Sequence, residues 1–140
     1  MNIKRFGAWI LATALSIGIA GAAPVGESVD RAQAAATSWL SLVDSAEFGR
    51  SWSQAANTFK SAVPEAQWVS TVRGVRAPLG PVVSRKLKSA TFTASLPGAP
   101  PGKYVVLQYT TDFSNRADAV ETVTFMLDGG AWRAAGYYIR

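Results

Sequence analysis

The sequence contains no cysteine and no histidine. Without cysteine there are no disulfides, so packing alone must hold the fold. The two absences together remove Ser-His-Asp and Cys-His nucleophilic systems, and every metal site built on imidazole or thiolate. Hydrolases of those types and zinc enzymes therefore lack their residues. Carboxylate and phenol chemistry remains open, since Asp, Glu and Tyr are present. Acids are scarce: 9 Asp and Glu stand against 14 Lys and Arg, with none between Glu65 and Asp112. No glycine-rich phosphate loop, internal repeat or low-complexity tract is visible.

The first residues have the three-part layout of a secretory signal. Lys4 and Arg5 precede FGAWILATALSIGIA, residues 6–20, which carries no charge, and Ala20-Gly21-Ala22 follows as a small-x-small cleavage site. The apolar run is shorter than the roughly 20 residues of a spanning helix. The expectation is a cleaved signal over residues 1–22 and a single domain over residues 23–140. The location is then the periplasm or the exterior, with no stable membrane anchor after cleavage. Removing Lys4 and Arg5 leaves 12 Lys and Arg against 9 Asp and Glu, a net charge of +3. That mild excess, in an exported chain, argues against nucleic acid as a partner.

The exported part divides into a helical half and a strand half. Val29, Ala32, Ala36, Trp39, Leu40 and Val43 recur at three- and four-residue spacing and predict a helix over Glu27–Val43. Asp44 or Ser45 can cap a second helix with Phe48, Trp52, Ala55, Ala56 and Phe59 on its stripe. Pro64 and Glu65 suit the start of a third helix, which Pro78 ends. Four strands follow: Val82–Ser95, long enough to hold a bulge, then Tyr104–Phe113, Asp118–Leu127 and Ala131–Ile139. Asp128-Gly129-Gly130 signals the last hairpin. Helices first and an antiparallel sheet afterwards define an α+β fold, three helices on four strands.

The candidate site residues come from strand alternation. In the third strand the odd positions Ala119, Val123, Phe125 and Leu127 are the more apolar, so they face the helices and carry Glu121 inward with them. Val83, Arg85 and Leu87 share one phase of the first strand, which turns Arg85 inward too. A lone buried charge costs several kcal/mol, so Arg85 and Glu121 are expected to pair, with Arg76 as a third member. Arg73 and Arg76 sit in a last helical turn, where cations meet the negative helix end. Lys86 and Lys88 alternate as a solvent-facing strand would. The basic stretch RGVRAPLGPVVSRKLK, residues 73–88, therefore reads first as a helix-to-sheet corner and second as an anion site. Tyr104, Tyr109 and Tyr137 are strand aromatics whose default is packing and whose second reading is ligand contact.

Together these residues resemble a known family. Trp39, RAPLG at 76–80, Ser84-Arg85, LPGAPPGKYVVLQYTTDF at 96–113, ETVTF at 121–125 and GGAWRAAGYYIR at 129–140 resemble the bacterial domain of unknown function 4019. The resemblance implies a small exported bacterial protein and implies no activity. It marks Arg76, Gly80, Arg85, Tyr104, Glu121, Trp132, Gly136 and Tyr137 as family-type positions. The layout is also similar to cystatin-like and nuclear-transport-factor-like cones, a likeness of fold that carries no function.

The functional expectation is a non-enzymatic periplasmic binding or protein-interaction module. Its binding residues would be Arg76, Arg85, Glu121, Tyr104, Tyr109 and Tyr137, with no catalytic residue, metal or cofactor. Its partner would be a small ligand or another envelope protein. The alternative is a cone-fold enzyme using Asp, Glu or Tyr as acid and base. A hollow face between helices and sheet favours the enzyme; a filled one with an exposed apolar patch favours protein interaction.

Overall fold

The computed structural model describes residues 24–140. The expected signal, residues 1–22, and its cleavage bond lie outside them. Among the described residues the order is α1 (Val25–Asp44), α2 (Phe48–Ser53), α3 (Asn57–Ala62), α4 (Glu65–Leu79), β1 (Val82–Thr93), β2 (Tyr104–Phe113), β3 (Arg116–Asp128) and β4 (Ala131–Ile139). The four strands form one antiparallel sheet in the order β1-β2-β3-β4. The fold is α+β with the helices ahead of the sheet, as the pattern predicts.

α1 buries Ala32, Ala36, Trp39, Leu40 and Val43, the stripe read from the sequence. Its end is a Schellman motif: Glu47 N–H donates to Leu42 O at 2.9 Å and Ala46 N–H to Val43 O at 3.1 Å. Ala46 occupies the left-handed position, φ 58°, that glycine usually takes. The expected second helix is instead two short ones. Ala55 and Ala56 are fully buried between them, and Ala56 N–H donates to Ala134 O of β4 at 2.8 Å. Bonding to the strand takes a donor that a continuous helix would need. Tryptophans fix this broken stretch: Trp39 Nε1 donates to Ser51 O at 2.9 Å, and Trp52 Nε1 to Val63 O at 2.7 Å.

α4 also departs from expectation at its end. It runs through Pro78 to Leu79 and stops at Gly80, φ 76°. A Cβ there would lie 2.1 Å from Ser114 Oγ, so only glycine fits the corner. The β2–β3 turn caps the helix: Asn115 donates from its backbone to Leu79 O at 3.0 Å and from Nδ2 to Pro78 O at 3.1 Å.

The sheet contains the expected bulge in β1. The β1–β2 register skips Lys88, and also skips Val83. Val83 is thereby thrown outward, 71% exposed, and does not share the inner face with Arg85; Leu87 is also exposed. Two further register shifts, between Thr111 and Phe113 of β2 and at Ala135 of β4, have no sequence counterpart in the expectation. β2 turns Val105, Leu107, Tyr109 and Phe113 inward, and β3 turns Ala119, Glu121, Val123 and Phe125 inward, all buried. The space between helices and sheet is filled. Trp39 lies 6.1 Å from Phe125, 6.0 Å from Trp68 and 5.6 Å from Tyr137, ring centre to ring centre.

Candidate functional site: a buried ion cluster

Away from the β3–β4 hairpin, the inner layer turns polar. Each of the four strands contributes one residue to this patch: Arg85 from β1, Thr111 from β2, Glu121 from β3 and Tyr137 from β4. The register places them together, since Arg85 pairs with Thr111, Tyr109 with Glu121, and Val123, next inward on β3, with Tyr137. Two helix ends close it from above: Asp44 is the last residue of α1, and Arg76 lies in the last turn of α4.

Glu121 is fully buried and accepts four hydrogen bonds. Oε1 takes Arg85 Nε at 2.7 Å and the Thr111 hydroxyl at 2.5 Å. Oε2 takes Arg85 Nη2 at 3.2 Å and the Tyr137 hydroxyl. Arg85 turns its other edge to Asp44, with Nη1 at 2.8 Å from Oδ2 and Nη2 at 3.0 Å from Oδ1. One planar guanidinium thus forks onto two carboxylates, a geometry that lysine cannot reproduce. Arg76 Nη2 donates to Asp44 Oδ1 at 2.9 Å, and its Nη1 approaches the Tyr137 oxygen at 3.5 Å. Two guanidiniums and two carboxylates balance in charge. Arg76 Nε has no hydrogen-bond partner, but its guanidinium carbon sits 5.0 Å from the centre of the Phe113 ring. A cation–π contact of this kind offsets part of the missing bond.

Proton affinities follow from this arrangement. Burial works to raise the pKa of Asp44, but hydrogen bonds from Arg85 and Arg76, with their charges, outweigh it and hold it below the ordinary value. For Arg85, burial works to lower the pKa, and the bonds to Asp44 and Glu121 push it above the ordinary value instead. Tyr137 is pushed well up, first by burial and then by the charge and hydrogen bond of Glu121. Arg85 therefore stays cationic and Tyr137 stays a neutral donor at physiological pH.

Of the residues singled out from sequence, the structure brings together Arg76, Arg85, Glu121 and Tyr137. Tyr109 borders the group, buried, with a hydroxyl that finds no partner. Burial, only partly opposed by Arg85, raises its pKa as well. Tyr104 does not belong. It is on the opposite face of β2, buried, and its hydroxyl donates to Pro100 O, in the segment that joins β1 to β2, at 2.6 Å. The sequence reading missed Asp44 and Thr111. Arg73 stands apart, 5.9 Å from the Phe48 ring centre, on a cleft of about 310 Å³ whose lining includes Asp44 and Arg76. Lys86 and Lys88 are exposed on β1. The basic stretch is thus mainly a corner, two of whose arginines are folded into the cluster. Among the described residues no carboxylate group of three or more is placed to hold a metal ion.

The fold and the cluster define a class: a small α+β domain whose helix ends are locked to a four-stranded meander by a charge-balanced core. A family model described as a protein of unknown function, DUF4019, matches residues 35–137, and the chain belongs to that family. The matched span contains every member of the cluster, from Asp44 to Tyr137. No curated protein matches the chain.

Proposed function

We propose that this chain is an exported, non-catalytic protein-interaction module of the bacterial envelope. The observation that supports it most is the saturation of Glu121. A general acid or base needs a free lone pair or an exchangeable proton within reach of substrate. Glu121 has neither: it is inaccessible and already accepts four donors. The aromatic layer beside it is packed, and the cleft of about 310 Å³ is lined by Asp44 and Arg76 but not by Glu121. The exposed apolar side chains include a neighbouring pair outside the core, Val75 of α4 and Tyr138 of β4, which suits contact with another protein. Export rests on the signal layout of residues 1–22.

Cross-linking in intact cells tests this reading. The expected result is a discrete higher-mass adduct in the envelope fraction, on a chain whose first residue by mass is Ala23. Recovery of the protein uncross-linked, or with Met1 retained in a soluble fraction, argues against it. An enzyme reading would instead require Glu121→Gln to abolish a turnover while leaving the unfolding midpoint unchanged.

A further inference from the structure

The two edges of the sheet are built differently. The β1 edge carries exposed Lys86 and Lys88 and has bulges at Val83 and Lys88. Charges, above all lysine, and bulges are the usual means of stopping strand addition. The β4 edge is covered only in its first half, where Ala56 N–H bonds Ala134 O beside the Ala135 bulge. From Gly136 to Ile139 it has no charge, proline or bulge, and among the described residues no backbone bond from outside the sheet reaches it. Val120 and Arg140 exchange both backbone bonds, at 2.9 and 3.0 Å. Antiparallel pairs alternate, so Tyr138 also bonds toward β3, while Tyr137 and Ile139 direct their N–H and C=O groups away from it. Beside this edge runs an uncharged groove of about 190 Å³ between α4 and β4, bordered by Val75, 45% exposed, and Tyr138, 53% exposed.

We propose that this edge pairs with the same edge of a second copy, antiparallel and two-fold about Tyr138. This rests on the interaction-module reading and names its partner. In that register Tyr137 of each copy faces Ile139 of the other, and each such pair exchanges both outward backbone bonds. Tyr138 meets Tyr138, and Arg140 faces Gly136, where no side chain competes. The uncharged lining lets two like-charged chains approach without opposing cations at the contact. A second copy fits because the two-fold register sets the uncharged segment Gly136–Ile139 against itself and places each Arg140 over a Gly136 rather than over another cation, and the guarded β1 edge stops the assembly at two.

Sedimentation equilibrium of the protein purified from the envelope, from low to high micromolar concentration, is the test. A reversible dimer is expected. Ile139→Pro removes an outward donor, and Val75→Glu puts a charge at the exposed rim of the groove. Each should weaken association by roughly tenfold or more. Val75 is substantially exposed, so this variant should keep the wild-type circular dichroism and unfolding midpoint and serve as the folding control. A monomer at every concentration, or a dimer indifferent to both changes, overturns the pairing. A monomer that still cross-links to a different envelope protein sinks the second-copy proposal and keeps the interaction module. A monomer that cross-links to nothing sinks both.

Discussion

The layer between helices and sheet has two halves that bury different chemistry. Toward the β3–β4 hairpin lie Trp39, Trp68, Phe59 and Phe125, held by edge-on and tilted ring contacts. At the other end lie Asp44, Arg76, Arg85, Thr111 and Glu121. Tyr137 joins them: its ring packs on Trp39 and Trp68, and its hydroxyl donates to Glu121. The aromatic half is held mainly by area, with buried indole bonds from Trp39 and Trp68 to Ser51 added, so its losses scale largely with the volume removed. The ionic half is held by matching, so removing one atom strands another. Graded damage is expected in the first and all-or-none damage in the second.

The largest effects should come from breaking each half at its centre. Trp39→Ala should cost about 3–5 kcal/mol, and Trp39→Phe clearly less, since the remaining ring still fills most of the space. Glu121→Gln, which removes almost no volume, should also cost about 3–5 kcal/mol, because Arg85 loses a buried counter-charge. A double-mutant cycle on Arg85 and Glu121, read by urea unfolding, should give a coupling well above the scatter of distant pairs, about 0.3–0.5 kcal/mol. Replacing both by apolar residues of similar volume should recover much of the loss. A cheap Glu121→Gln would dissolve the contrast between the halves.

The joint should show an intermediate effect. Tyr137→Phe keeps the ring and removes the hydroxyl, leaving Glu121 Oε2 one donor short. A loss of about 1–3 kcal/mol in unfolding free energy is expected. The pH dependence separates the halves further. Asp44 has a depressed folded pKa, so its contribution is present above the unfolded value of about 3.9 and lost as pH falls through the folded value. Unfolding midpoints should therefore drop with acid below that point in wild type, and less steeply in Asp44→Asn. Tyr137 has a raised folded pKa, so its share is intact below about pH 10 and lost as pH rises beyond the unfolded value. Tyr137→Phe should flatten that alkaline fall.

Much of this was legible in the sequence, and the misses have physical causes. Alternation in β3 placed Glu121 inward and charge burial demanded a cation for it; the β1 phase reached Arg85 too, although Val83, which helped to set that phase, is bulged outward. Parity also held the answer for two tyrosines and a threonine. Tyr109 and Thr111 share odd positions with Leu107 and Phe113, whereas Tyr104 is even, which is why it lies on the other face. Asp44 was masked by its position. An acid just before Ser45 looks like a helix start, yet it is the last residue of α1, an end where acids are disfavoured unless cations answer them. Arg76 and Arg85 are those cations, and they come from distant sequence. The break at Ala55-Ala56 was equally hidden, because two alanines favour helix and it is the distant Ala134 carbonyl and Asp128 carboxylate that take the N–H groups of Ala56 and Asn57.

The smallest predicted effect tests how Asp44 is aimed. Ala46 holds the left-handed position of the α1 Schellman motif, and that turn directs the last helical residue toward Arg76 and Arg85. A Cβ in this conformation costs roughly 1–2 kcal/mol. Ala46→Gly relieves it but loosens the unfolded chain, which gives back about 0.4–1 kcal/mol. The net gain in unfolding free energy should lie between about 0 and about 1.6 kcal/mol, centred on about 0.8 kcal/mol. The same change with Asp44→Asn in place should yield the same gain if the strain is local to the turn. A gain that vanishes in the Asp44→Asn background would mean instead that the ion cluster pulls the helix end into its strained shape. The ionic half would then be setting the backbone rather than fitting to it.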